Sequence, residues 1–164
     1  MASNVANRKT YRAAIAAELS TLLVGSGLPA QQCFAGHVGE FSGVSPAVIV
    51  SSGGSARQTV QNTSRTQDTT LYINVTVLVA YGEVDGTFDE LDSENALDDI
   101  EKIVSDWAGD NRTRDPGDAS GVAWTNLDFE QRTETGQLLP LAEIGGRSYR
   151  IETIPLAVRI MGQP

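Results

Sequence analysis

From Thr69 to Tyr81 the chain alternates in hydrophobicity: Leu71, Ile73, Val75, Val77, Val79 and Tyr81 share one parity. Thr70, Tyr72, Asn74, Thr76, Leu78 and Ala80 hold the other. Successive side chains of an extended strand point to opposite faces, so the stretch predicts a strand with one apolar face and one mostly polar face. At about 3.3 Å per residue it would run roughly 40 Å, long enough to need covering elements.

Two segments have helical spacing instead. Tyr11, Ile15, Leu19, Leu22 and Leu23 recur at steps of three and four, with Ala13, Ala14, Ala16 and Ala17 between them, and predict a helix from about Asn4 to Val24. Gly25, Gly27 and Pro29 end it. Ala96, Leu97, Ile100, Ile103, Val104 and Trp107 predict a second helix from about Ser93 to Ala108, with Asp92 or Ser93 as its N-cap. Asp89, Glu90, Asp92 and Glu94 crowd its start, where the helix dipole favours negative charge.

Shorter alternations predict strands at Ala47–Ser51, Val122–Arg132 and Arg147–Met161. In the last of these, Tyr149 and Ile151 have one parity whereas Ile154, Leu156, Val158 and Ile160 have the other. This phase switch predicts a β-bulge near Thr153–Pro155. Leu28–Ser45 and Thr133–Gly146 lack a period and are expected to be loops, the second with an oily patch at Leu138, Leu139 and Leu141. Gly53–Asp68 is polar, with Arg57, Thr59 and Arg65 and a lone aliphatic Val60. It is either a projecting hairpin made by extensions of the flanking strands or a surface loop. The resulting expectation is one α+β domain spanning residues 1–164, with a protruding polar arm around 53–68. Its core is a four-stranded, mainly antiparallel sheet with two helices on one face, in the order α-β-β-α-β-β.

Charge changes this picture more than composition does. The 164 residues carry 21 acidic and 12 basic side chains, for a formal net charge of −9. Duplex-gripping and membrane-adsorbing proteins are disfavoured, since both polyanions would repel such a chain. Eleven of the acidic residues fall between Glu83 and Asp110, against Lys102 alone. The single cysteine, Cys33, allows no internal disulfide and suits a reducing compartment. No apolar run reaches the roughly 20 residues that a membrane-spanning helix needs, and the N-terminal stretch is expected to belong to the fold rather than to a leader.

Candidate chemistry is sparse. His37, the only histidine, lies four residues from Cys33, but a nucleophile and base need a third, orienting group, and closeness in a loop supplies none. Cys33 and His37 together fall short of a zinc ligand set. The acidic group Asp85, Asp89, Asp92 and Glu94 lacks the register of a calcium loop and is expected to be a solvated surface. The glycine pairs match no phosphate-binding loop. Trp107 falls on a buried stripe, whereas Trp124 opposes the parity of Leu127 and Phe129 and is either an exposed contact or a sign of irregularity. No enzyme, metal or cofactor is expected.

The layout as a whole resembles that of a known family. It has a Tyr11-Arg12-x-x-Ile15-x-x-x-Leu19 helix, a Pro46-Ala47-Val48-Ile49-Val50 strand, a polar excursion and a long Leu71–Tyr81 strand. A Leu97–Trp107 helix, a Trp124–Phe129 strand and a closing Tyr149–Ile160 strand follow. This pattern resembles the tail terminator, or tail completion, proteins of long-tailed bacteriophages. The resemblance implies a hexameric ring of identical copies at the head-proximal end of the tail tube, assembled in the host bacterial cytoplasm. Such a ring would end tube polymerisation and offer the surface on which the filled head docks, while DNA passes through without specific binding. It implies contacts with the tail tube protein and a neck or head-completion protein, and no catalytic residues. A neck or head-completion protein is the alternative role. Arg57, Thr59, Val60 and Arg65 of the arm, with Trp124, Leu138 and Leu139, are the expected interface residues; packing within the core is the other reading of the apolar ones, and of Leu78.

Overall fold

The computed structural model describes residues 7–36, 44–59, 67–82, 89–130, 141–144 and 146–163. Helix α1 (Arg8–Leu23) begins at Asn7, whose side chain accepts a hydrogen bond from the Lys9 amide at 2.9 Å. Strand β1 (Gln32–Ala35) follows, then β2 (Ala47–Thr59), β3 (Gln67–Ala80), helix α2 (Glu90–Asp110), β4 (Asn126–Phe129), β5 (Leu141–Ile144) and β6 (Arg147–Gln163). All six strands form one sheet in the order β1-β2-β3-β6-β4, with β5 paired to the first residues of β6. The β1–β2 pair is parallel and every other pair antiparallel.

Among the described residues, six strands in the order α-β-β-β-α-β-β-β replace the four-stranded α-β-β-α-β-β arrangement expected from the pattern. The two additional strands, β1 and β5, are four residues each and lie in stretches taken for loops. Four residues give a period of two only two repeats, and the glycines near β1 hide even those. Pairing with a longer neighbour, rather than local alternation, makes these segments strands. Helix α2 also starts earlier than expected. Asp89, not Asp92 or Ser93, is its cap: the Asp89 carboxylate accepts from the Asp92 amide at 2.7 Å, and Ser93 is already inside the helix, donating its hydroxyl to the Glu90 carbonyl.

The main core lies between the helices and one face of the sheet. Ile15, Leu19 and Leu23 of α1 and Leu97, Ile100 and Val104 of α2 pack on a ladder of strand residues. That ladder follows from the register: Val50 faces Val75, which faces Ile154, and Ile73 faces Leu156. The phase switch in β6 has a different cause from the expected bulge. Pairing between β3 and β6 is unbroken from Thr69↔Ile160 to Ala80↔Tyr149. Ile154, Leu156, Val158 and Ile160 join the helix-covered core, whereas Tyr149 and Ile151 join a second cluster on the opposite face with Ala47, Ile49, Leu78 and Ala80. The strand keeps its pleat, and its two ends serve cores on opposite sides of the sheet. Pro155 sits where pairing to β4 runs out; its carbonyl accepts from the Glu130 amide at 2.9 Å.

Candidate functional site

Strand β2 changes character halfway along. Its first four residues, Ala47 to Val50, are flanked by β1 on one side and β3 on the other, and all are buried. The Gly36 amide donates to the Val50 carbonyl at 2.8 Å, and β1 ends there. From Ser51 to Thr59 the strand continues beside β3, and among the described residues no strand pairs with its outer edge. Within the polar stretch, β2 runs on to Thr59 and β3 begins at Gln67, the two paired, with β6 on the other side of β3; the residues between them, including Val60 and Arg65, lie outside the described residues.

A register shift between Ser52 and Ser55 turns the arm over. Two residues, Gly53 and Gly54, oppose the single Tyr72, so Ser55 and Arg57 fall on the face shared by Leu71 and Thr69, towards the helices. Glycine fits at 53 without adjustment, whereas a Cβ there would lie 3.2 Å from both the Cβ and the carbonyl oxygen of Tyr72 and push on them. The turned face meets the start of α1, where the Arg8 guanidinium donates to the Ser55 hydroxyl at 2.8 Å.

That end of α1 is electrostatically unusual. Its first turn has no acidic residue and carries Arg8 and Lys9, where the dipole disfavours positive charge. Arg12 lies one turn on, beside Gly36 at the end of β1. Its Nε is buried and has no hydrogen-bond partner among the described residues. With Arg57 these side chains form a basic flank along the open stretch of β2.

The opposite flank is acidic. Helix α2 carries Glu90, Asp92, Glu94, Asp98, Asp99, Glu101, Asp106 and Asp110 against Lys102, which is spent on Asp106 at 2.8 Å. Arg150 of β6 reaches Glu94 at 3.2 Å and Glu90 at 3.3 Å, its guanidinium 5.0 Å from the centre of the Tyr81 ring. Below it the charges are of one sign. Glu152 of β6 is half-buried, and that burial, with Glu101 and Asp98 close by, holds its carboxyl above the usual carboxylate range. The side of α2 that meets α1 is fixed elsewhere, by the Trp107 indole donating to Glu18 at 3.2 Å. The Glu94–Asp98–Glu101 stripe therefore faces away from α1.

Between the flanks, residues 111–125 are bolted to the core by Arg114. Its guanidinium contacts Glu18 at 2.9 Å, Asn111 Oδ1 at 2.8 Å and Ser120 Oγ at 3.1 Å, and lies 4.2 Å from the Trp124 ring centre. Trp124 donates its indole N–H to the Asn111 carbonyl at 2.7 Å, and Tyr11 its hydroxyl to the Ala123 carbonyl at 2.7 Å. A groove of about 980 Å³ opens beside this loop, lined by Asn7, Tyr11, Pro116, Val122, Trp124 and Met161 among others. Two of its charged groups are paired: Arg114 with Glu18, and Asp118 with the Ser120 hydroxyl and amide, which hold that carboxyl below its usual range.

The sequence matches no protein-family model and no curated protein. The reading of the site therefore rests on geometry. Of the expected interface residues, Arg57 and Thr59 are exposed on the arm. Trp124 is 3% exposed and belongs to the core, its parity explained by the bridge between Arg114 and Trp124 that precedes β4. Leu78 is buried in the second cluster. Leu138, Leu139 and His37 lie outside the described residues. Burial pushes the Cys33 thiol up to about 11, so the protonated form dominates at neutral pH, with the sulfur 3.8 Å from the Ala16 carbonyl. Among the described residues no group of three or more histidine, cysteine or acidic side chains is placed to hold a metal.

Sequence reasoning missed the Arg114–Glu18 pair and the Gly53–Gly54 bulge. A signal for the bulge existed in the adjacent glycines between two strands. None existed for the pair, whose members are 96 residues apart.

Proposed function

We propose that this chain is a structural protein of a long-tailed bacteriophage virion. Six copies form a ring that closes the head-proximal end of the tail tube and receives the head. The observation that carries the reading is the outer edge of β2: nine residues, Ser51 to Thr59, run past β1 with no strand paired to that edge among the described residues, and the last four, Ala56 to Thr59, are exposed. An edge of this kind is suited to contacts between chains by strand addition. Rings arise from heterologous contacts that close by rotation, which require two different surfaces on one copy, and this chain has oppositely charged flanks. An acidic ring also suits a passage for DNA, because it repels phosphates rather than holding them. A bulge and a charge are equally the means by which a solitary protein blunts an edge, so the assembly state is the deciding quantity.

Negative-stain electron micrographs of the purified protein test the reading: rings with a central hole are expected. Phage particles made without this chain should have tails of uncontrolled length. Tails of normal length that fail to join heads would instead place the chain at the neck.

A further inference from the structure

Within that ring reading, on which this inference rests, we propose which surfaces meet: the basic flank of one copy, Arg8, Lys9, Arg12 and Arg57, docks against the Glu94–Asp98–Glu101 stripe of α2 in a second copy. The two surfaces lie at opposite sides of the helix layer. Helix α1 packs over β1 and β2, and α2 over β3, β6 and β4. A head-to-tail contact between them leaves each copy with one flank used on either side, as a closed ring demands.

Two features of the isolated chain are costs that such a contact removes. Arg8 and Lys9 oppose the dipole at the start of α1, where acidic residues would stabilise the helix. On the other flank, Glu152, Asp98 and Glu101 crowd together, and the one cation of α2 is already committed to Asp106. Arg150 neutralises only the Glu90–Glu94 end. The bulge matters here too. Without the extra residue at Gly53–Gly54, Arg57 would point to the other face of the sheet, away from Arg8. Charge of one sign is thus gathered on each flank against local preference, and the signs are complementary.

The test is charge reversal read by native mass measurement and sedimentation. Arg8→Glu/Arg57→Glu and Asp98→Lys/Glu101→Lys should each weaken self-association at least tenfold. The wild-type ring should weaken between about 0.05 M and 1 M salt as the screening length falls from more than 10 Å to about 3 Å. An equimolar mixture of the two variants should reassemble, because each supplies the surface that the other now needs, and the chain carrying all four changes should assemble alone. Circular dichroism and melting identify any variant that has lost its fold; Arg57→Glu alone then replaces the basic-flank pair, since Arg57 is exposed. Rings that persist in both variants and in high salt overturn the inference and leave the ring reading standing. A wild-type chain that is monomeric at every salt concentration overturns both. Short duplex DNA that binds the wild type and is lost in Arg8→Glu/Arg57→Glu, with association unchanged, assigns the basic flank to nucleic acid and also overturns the inference.

Discussion

The two halves of β2 share one strand and have opposite environments. Ala47 to Val50 have a partner strand on each side and residues buried on both faces: Val48 and Val50 in the helix-covered core, Ala47 and Ile49 in the second cluster. Ala56 to Thr59, a few residues later, are all exposed. The difference shows where stability is held and where surface is offered. A strand anchored at one end can offer the other as surface, because its ladder to β3, itself paired to β6, continues past the point where the side chains of β2 are buried.

The largest effects should separate these halves. Ile49→Ala removes a side chain 4% exposed and should cost about 2–4 kcal/mol, as buried truncations do, measured by urea unfolding. Arg57→Ala and Thr59→Ala should change stability by less than about 0.5 kcal/mol, as exposed substitutions do. If the arm variants were as costly as Ile49→Ala, the division of labour along β2 would be lost. Next in size is Arg114→Ala. Its side chain is 5% exposed, but its partner Glu18 is 32% exposed and stays partly solvated, so a cost of about 2 kcal/mol is expected rather than the full cost of an orphaned buried ion. Arg114→Lys should recover little of it. Lysine offers a point charge where Glu18, Asn111 and Ser120 are met by a planar fork stacked near Trp124.

Gly53→Ala probes the junction between the halves. The added Cβ would lie 3.2 Å from Tyr72 backbone and side-chain atoms, a tight contact that the backbone at the bulge must yield to relieve. A cost of about 1 kcal/mol is expected, with the loss of amide protection concentrated in residues 51–59 rather than in 47–50. Uniform loss across β2 would show instead that the strand behaves as one unit.

Legibility in the sequence follows the same boundary. Long elements whose burial is one-sided announced themselves: the alternation of Leu71 to Val79 and the heptad-like stripe of Leu97 to Trp107 are buried in the structure. Strands β1 and β5 were invisible because each owes its form to a neighbour, not to its own four residues. The β6 phase switch was legible as an anomaly and misread as to cause, since parity alone cannot distinguish a bulge from a strand that serves two cores. The Gly53–Gly54 bulge shows the reverse: it lies in a polar segment where a parity change leaves no hydrophobic trace. As for the flanks, the acidic run of α2 is plain in the sequence, but its pairing with a basic counterpart is not. Arg8 and Arg57 are 49 positions apart by number and share a face only because of the bulge.

The smallest expected effect is at Glu152, and its sign is opposite to the others. Burial, then Glu101 and Asp98, raise this carboxyl above its ordinary value in the folded chain. Between the ordinary and the raised value the folded state binds more protons than the unfolded one, so stability falls as pH rises through that window. Below the ordinary carboxylate range both states are protonated and the full contribution is present; above the raised value it has been lost. Glu152→Gln removes the ionisation. The variant should therefore melt higher than the wild type at pH 7, with the gap closing as the pH falls towards 3.5. The gap should narrow in high salt, because the contribution of the exposed Glu101 and Asp98 is screened. Asp98→Asn should produce a weaker change of the same sign, since burial and Glu101 act on this carboxyl more strongly than Asp98 does. A Glu152→Gln variant that melts lower at pH 7 would mean that the carboxylate is held by a favourable contact, and the acidic flank would then lack the uncompensated charge that distinguishes it from the basic one.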